Sequence, residues 1–253
     1  MTDYTIANTF TLPSKGLVYS RKINPEVTLR AMTTAEEMKR LNHSDRAYKP
    51  LADVIDACIV GELGMSSYDL CIADYQFLMH KLRIVTYGTD YKTTSKCPFC
   101  LTENEHVLNL ETDLDVIAFD EELYTRCSDI ILPATKKHIK VRMQSPRMID
   151  DINLEVKDAK RRQKSSSYDP AFLITLSHLI ESVDGNTYAD FELEEFIKAL
   201  PMRDTNYILK AAQCLNSFFG IDSLLIQSCG VCGLDYTSSF QVTSEFFGPS
   251  VDF

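Results

Sequence analysis

The sequence predicts an α+β fold: a mostly helical body, an extended N-terminal segment, and a small β module split between two distant parts of the chain. Three observations carry this. Lys96-Cys97-Pro98-Phe99-Cys100 and Ser228-Cys229-Gly230-Val231-Cys232-Gly233 are two Cys-x-x-Cys clusters with 128 residues between them. Each leads through a polar turn into a strand-like run, residues 106–110 and 236–243, in which polar and apolar side chains alternate. The chain thus writes knuckle, turn and strand twice, a weak internal repeat. Elsewhere apolar residues recur mostly at helical spacing, while residues 4–30 read as extended.

In chain order, Thr9-Phe10-Thr11-Leu12 runs into Pro13-Ser14-Lys15-Gly16, a turn marked by its Pro and Gly, and Val27-Thr28-Leu29-Arg30 resumes extended chain. Thr33-Thr34-Ala35-Glu36 fits a capping box, with Thr33 as N-cap and Glu36 at the third helical position, and opens a helix over 34–42. Leu51, Val54, Ile55, Cys58 and Ile59 form one apolar stripe and predict a helix over 50–63. A third, largely buried helix starts after Ser66 or Ser67, runs to Tyr87 and stops at Gly88. Residues 91–95 enter the first knuckle as a strand. After the first ribbon half come an acidic loop at Asp120, Glu121 and Glu122 and a hairpin built from 129–133 and 138–143.

Ser145-Pro146 opens the next helix as cap then proline. It ends in Lys160-Arg161-Arg162-Gln163-Lys164, the one basic run of the chain. That run reads as a solvated last turn complementing the helix dipole, or as a docking patch for an acidic partner. Ser165-Ser166-Ser167 reads as a loop, followed by helices over 171–183, 187–200 and 203–217. Leu224-Leu225-Ile226-Gln227 enters the second knuckle. The expected organisation is therefore 1–90 as extended segment plus helices, 91–144 with 222–253 as the split ribbon-like module, and 145–221 as a helical insert.

Two Cys-x-x-Cys pairs supply four thiolates, the number a tetrahedral structural zinc site needs, so Cys97, Cys100, Cys229 and Cys232 are the predicted ligands of one Zn2+. Gly230 and Gly233 are expected to relieve backbone crowding at the second knuckle, and Pro98 to stiffen the first. Cys-Pro-Phe-Cys also reads as a redox motif, but that chemistry wants its first cysteine at a helix N-terminus, and the run that follows is strand-like. A thiol redox enzyme would not need the second copy either. Eight cysteines without a secretory signal argue for a reducing compartment, where disulfides are rare. Cys58, Cys71 and Cys214 lie in apolar helical segments and read as small buried hydrophobes; Cys127, in a loop beside a strand, receives no role. His106 lies near the first knuckle, but four cysteines already fill the shell.

The 253 residues are 45% hydrophobic and 25% charged, ordinary values for a globular protein with a real core. The net charge of -10 disfavours binding to a phosphate backbone, which needs clustered Lys and Arg. No apolar run reaches the roughly 18 residues of a membrane span, and Met1-Thr2-Asp3-Tyr4 lacks the start of a secretory signal, so a soluble protein made in the cytoplasm is expected. No His-Glu-x-x-His, phosphate loop or nucleophile elbow occurs, and no enzymatic activity is expected.

Phe10-Thr11-Leu12-Pro13-Ser14-Lys15-Gly16-Leu17-Val18-Tyr19, followed by Val27-Thr28-Leu29-Arg30-Ala31-Met32-Thr33-Thr34-Ala35-Glu36-Glu37, resembles the opening of the T-even-type bacteriophage baseplate hub proteins. The resemblance implies a hub subunit or hub-assembly chaperone that binds other baseplate or tail proteins and has no catalytic residues. It places such a protein in the host cytoplasm during assembly and, as a subunit, in the tail baseplate. The zinc reading stands without it. A zinc-ribbon adaptor of transcription or replication is the rival binding function; it would require a basic or aromatic face, against the acidic balance. The tail, with Phe246, Phe247 and Phe253, reads either as an interface anchor or as a segment packed back on the ribbon.

Overall fold

The extended N-terminal stretch supplies two strands of a three-stranded antiparallel sheet. In the computed structural model, which describes residues 6–162, 169–240, 242 and 246–248, β1 (Ala7–Thr11) pairs with β2 (Glu26–Arg30), Ala7 facing Arg30. Between them the chain turns through Lys15 at φ 51 and Gly16 at φ 76, the left-handed region that favours glycine. The buried Asp74 holds this turn: its carboxylate accepts the Ser14 N–H at 3.0 Å, the Ser14 hydroxyl, and the Tyr19 hydroxyl at 2.6 Å. Burial pushes the Asp74 carboxyl above its ordinary value even though those donors oppose it. The Pro-Ser-Lys-Gly stretch is therefore an anchored piece of core.

Helix α1 (Thr34–Arg40) starts at the expected capping box, where the Thr33 N–H donates to Glu36 Oε2 at 2.7 Å. Helix α2 (Lys49–Cys58) is shorter than the expected 50–63. Ile59 turns extended, and β3 (Ile59–Val60) pairs with the free side of β2, where β-branched residues fit a pleated surface. A 3-10 turn (Ser67–Asp69) precedes α3 (Ile72–Tyr87), which ends at Gly88 with φ 90. Helix α3 is the central post of the first core, which gathers Leu12, Leu29, Val54, Ile55, Leu78 and Leu82 and also takes in Leu225, Phe240, Phe246 and Phe247 from the far end of the chain. Buried Arg83 ties these parts together by donating to the carbonyls of Gly88, Asp90 and Phe246.

Strands β4 (Asp90–Lys96) and β5 (Glu103–Asn109) make the first ribbon hairpin. After β6 (Val116–Ile117), the expected acidic loop is instead α4 (Glu121–Ser128). Asp120 caps it by accepting the Leu123 N–H at 3.0 Å, and Glu121 and Glu122 face the positive end of the dipole. Strands β7 (Asp129–Ile131) and β8 (His138–Val141) form the expected hairpin. Helix α5 (Pro146–Arg162) ends in the basic run, where Lys160 lies 3.4 Å from Asp169 and Arg161 3.6 Å from Asp158. Gln163, Lys164 and the three serines after them lie outside the described residues.

The helix expected over 171–183 stops at Leu179: α6 (Ala171–Leu179) gives way to β9 (Ile180–Val183), the third strand beside β8. Then come α7 (Asp190–Ala199), α8 (Met202–Ser217), β10 (Gly220–Ile221), and the second ribbon hairpin, β11 (Leu224–Ser228) with β12 (Asp235–Ser239). A second core joins Ile130, Leu132, Ile139 and Val141 of the β7–β8 hairpin to Leu176, Leu179, Ile208 and Leu215 of the helices.

Two expectations about single residues are corrected. In this structure Cys214 is bonded rather than free, and Cys127 is not in a loop. Cys127 lies in the last turn of α4, and the packing of α4 on α8 brings the two Cα atoms to 6.2 Å, within disulfide reach, where the sulfurs are bonded. For Phe246 and Phe247 the tail follows the second of its two expected readings, packed back rather than exposed as an anchor. Both are buried, Phe246 edge-on against His80, Tyr91 and Phe240, because two large rings gain more from this apolar pocket beside α3 than from water. Phe253 lies outside the described residues.

Candidate metal centre

The two hairpins close in the same way. Lys96 faces Glu103 in the first and Ser228 faces Asp235 in the second, so each turn spans six residues, 97–102 and 229–234. In the first, the Cys97 N–H donates to the Thr102 carbonyl and the Leu101 N–H to the Cys97 carbonyl, both at 2.9 Å. In the second, the Cys229 N–H donates to the Leu234 carbonyl at 3.0 Å and the Gly233 N–H to the Cys229 carbonyl at 2.9 Å. Both turns need a left-handed residue at the fifth place, and Leu101 at φ 63 and Gly233 at φ 70 supply it. The repeat seen in the sequence is thus a repeat of backbone geometry.

The hairpins face one another tip to tip and bring all four predicted ligands together. The sulfurs of Cys97, Cys100, Cys229 and Cys232 lie within 4.8 Å of one another. Across the two hairpins, Cys97 Sγ is 3.7 Å from Cys232 Sγ, and Cys100 Sγ is 3.5 Å from Cys229 Sγ. A tetrahedron with bonds of about 2.3 Å has sulfur–sulfur edges of roughly 3.8 Å, whereas a disulfide is about 2.05 Å long. The spacing fits four thiolates around one ion. In each pair the first cysteine is buried and the second is exposed, so one wall of the site is protein and the other opens outward.

The electrostatics point the same way. Backbone N–H groups of Cys232 and Val231 aim at Cys229 and bring its thiol down to about 6. At Cys232 the Leu234 N–H also pulls down, but partial desolvation and the neighbouring sulfurs of Cys229, Cys100 and Cys97 outweigh it and push the thiol up to about 12. Thr102, through its hydroxyl and its backbone, lowers Cys100. Four sulfurs this close cannot all become anions against one another unless a cation sits between them, and a metal ion would be such a cation.

Polar side chains lock the hairpins face to face. Ser95 Oγ donates to Gln227 Oε1 at 2.7 Å and lies 2.5 Å from the Tyr236 hydroxyl. His106 Nε2 lies 3.2 Å from that same hydroxyl, so His106 joins this polar network through Tyr236. The Gly230 N–H donates to Asn104 Oδ1 at 3.0 Å. Gly230 does not relieve crowding: it is outside the left-handed region, and an added Cβ would make only an ordinary 3.7 Å contact with Asn104. Its N–H is what the site uses. Ser95, Asn104, Gln227 and Tyr236 escaped the sequence reading; the signal available was their inward position in each strand's alternation. Neither Cys-x-x-Cys opens a helix, which removes the dipole that the redox reading required.

No helix among the described residues is long and apolar enough to cross a membrane. No curated protein and no solved structure matches the chain. The family described as T4 bacteriophage base plate protein matches residues 5–248, which takes in the N-terminal stretch, both hairpins and everything between them, and the chain belongs to that family.

Proposed function

We propose that this baseplate protein is a hub subunit or hub-assembly factor that works by binding other tail proteins, and that Cys97, Cys100, Cys229 and Cys232 hold one structural Zn2+. The observation that carries the reading is the closed set of four thiolates in a chain of the baseplate family: no coordination position is left for a substrate. Bound there, the ion would cross-link two hairpins distant in sequence. The protein's own residues do the rest. Ser95, Asn104, Gln227 and Tyr236 set the hairpins' mutual angle, and the paired turns present the sulfurs. The cross-link fixes both ends of the long insertion, so its helices meet a partner as a rigid surface. A net charge of -10 suits encounter with a basic protein face and repels nucleic acid. The place of action is the host cytoplasm during assembly and, for a hub subunit, the finished baseplate.

Elemental analysis and affinity capture from infected cells test the two halves separately. One zinc per chain in protein purified without chelator is expected, together with co-purifying tail proteins. Metal content near zero would remove the zinc. Capture of no tail component, with turnover of a small molecule or salt-sensitive binding to nucleic acid instead, would overturn the assembly role.

A further inference from the structure

The insertion between the ribbon hairpins is closed at its base. The chain leaves through β6 and returns through β10, which pair antiparallel with Ile117 facing Gly220 and Val116 facing Ile221. The Asp222 N–H donates to the Asp115 carbonyl at 2.8 Å. Next comes an aromatic knot: Phe119 lies edge-on to Phe219 at 5.3 Å, and Phe218 lies 4.8 Å from Phe219. Further in, Cys127 of α4 meets Cys214 of α8 across 87 residues of sequence. These are the first and last helices of the insertion, so the pair sits where the insertion would open.

The eight cysteines sort by surroundings. Four face one another at the ribbon tip. Cys58 and Cys71 are buried free thiols with no cysteine partner. Cys127 and Cys214 face each other alone; Cys127 is 8% exposed, while Cys214 is only half-buried.

We propose that Cys127 and Cys214 form a redox clasp at the base of the insertion. In a reducing compartment they stand as two thiols; in an oxidising one they form a disulfide, and the ribbon cysteines take no part. The oxidant is a low-molecular-weight disulfide such as oxidised glutathione. The Cys214 thiolate attacks one of its sulfurs and expels a glutathione thiolate, leaving a mixed disulfide. The Cys127 thiolate then attacks the Cys214 sulfur and expels the second glutathione. The two protein sulfurs lose two electrons, the glutathione disulfide gains them, and the two thiol protons go to solvent or to the released glutathione. Closing this loop opposes the opening of α4 from α8. The inference does not depend on which ion fills the four-cysteine centre.

The test takes zinc-loaded, full-length protein, equilibrates it in glutathione buffers from fully reduced to fully oxidised, quenches in acid, alkylates, and maps peptides by mass spectrometry. Amide hydrogen exchange is read on the same samples. The oxidised sample should show one cross-link, between the peptides carrying Cys127 and Cys214. Exchange of α4 and α8 amides should slow by at least about tenfold, while the ribbon hairpins stay unchanged. Cys214→Ser should fold as the parent does by circular dichroism, with exchange fixed at the reduced level in every buffer. Absence of the cross-link at every buffer ratio, or oxidation of Cys97, Cys100, Cys229 or Cys232 in its place, would overturn the assignment. A cross-link with unchanged exchange would overturn the clasp. The comparison of the parent in two buffers decides even if the variant misfolds.

Discussion

The ribbon tip and the second core hold themselves together by different means. At the tip the buried cluster is Cys97, Cys229 and Tyr236, and the outward positions of the turns carry Phe99, Leu101 and Val231 in water. Under the insertion, Leu132, Ile139, Val183, Ile208 and Leu215 are buried completely. A two-stranded hairpin buries too little to be stable alone. Where apolar area is short, four sulfurs and a polar lattice do the fastening; where it is ample, packing does. The two regions should therefore fail independently.

The largest expected effect breaks one side only. Cys229→Ser removes one of the four proposed zinc ligands, and structural zinc binding contributes on the order of 10 kcal/mol. The variant should lose its metal and the exchange protection of the hairpin tips, while the amides of α6 and α8 keep theirs. If the second core melts with the tip, the separation is wrong. In the reverse direction, Leu132→Ala should cost about 2–5 kcal/mol in denaturant unfolding. The variant should still bind one zinc by elemental analysis. Loss of the metal in that variant would couple the two regions.

The sequence made this contrast half visible. The knuckles, the capping box at Thr33 and the stop at Gly88 were legible because each is a local pattern with a local cause. The break after Leu179 was not: Ile180-Glu181-Ser182-Val183 carries no Gly or Pro, and it becomes a strand because β8 offers an edge. The meeting of Cys127 with Cys214 and the burial of Phe246 under α3 are likewise products of tertiary packing, which no spacing in the sequence announces. The four cysteines that meet at the tip could be read as a set, whereas their bracing by Ser95, Asn104, Gln227 and Tyr236 depended on how two hairpins face each other.

Acid should set α1, beside the first core, apart from the second core by a smaller step. The Arg30 guanidinium, 2.7 Å from Glu36, heads the causes that bring the Glu36 carboxyl from 4.5 down to about 2, with the Thr33 donors adding to it. A carboxyl whose folded pKa is depressed contributes stability that is fully present above pH 4.5 and is lost as pH falls towards 2. Glu36→Gln should cost about 1–2 kcal/mol at neutral pH and flatten the acid limb of the stability curve for α1. The second core has lowered carboxyls of its own, Asp204, which accepts the Ala134 and Thr135 N–H groups, and Asp184 beside Lys137, so Glu36→Gln should leave its acid limb where it is. An unchanged acid limb at α1 would show that the ion pair is not felt.

The smallest effect sharpens the comparison inside the ribbon, between its two turns. They share one backbone, yet the left-handed place is filled by Leu101 in one and Gly233 in the other. A Cβ added at Gly233 meets nothing within 4 Å, so Gly233→Ala would cost only the left-handed conformation, about 1 kcal/mol. Leu101→Gly removes that same strain, but it loosens the unfolded chain by about 0.5–1 kcal/mol. The Leu101 side chain is 65% exposed, so little packing goes with it. The two terms nearly cancel, and the variant should match the parent. Chelator competition on the zinc-loaded variants reads the difference directly, since strain in a turn that must present two sulfurs appears as weaker metal binding. A loss at Leu101→Gly as large as at Gly233→Ala would mean that the leucine side chain holds its turn by contacts, and that the two knuckles are alike in outline only.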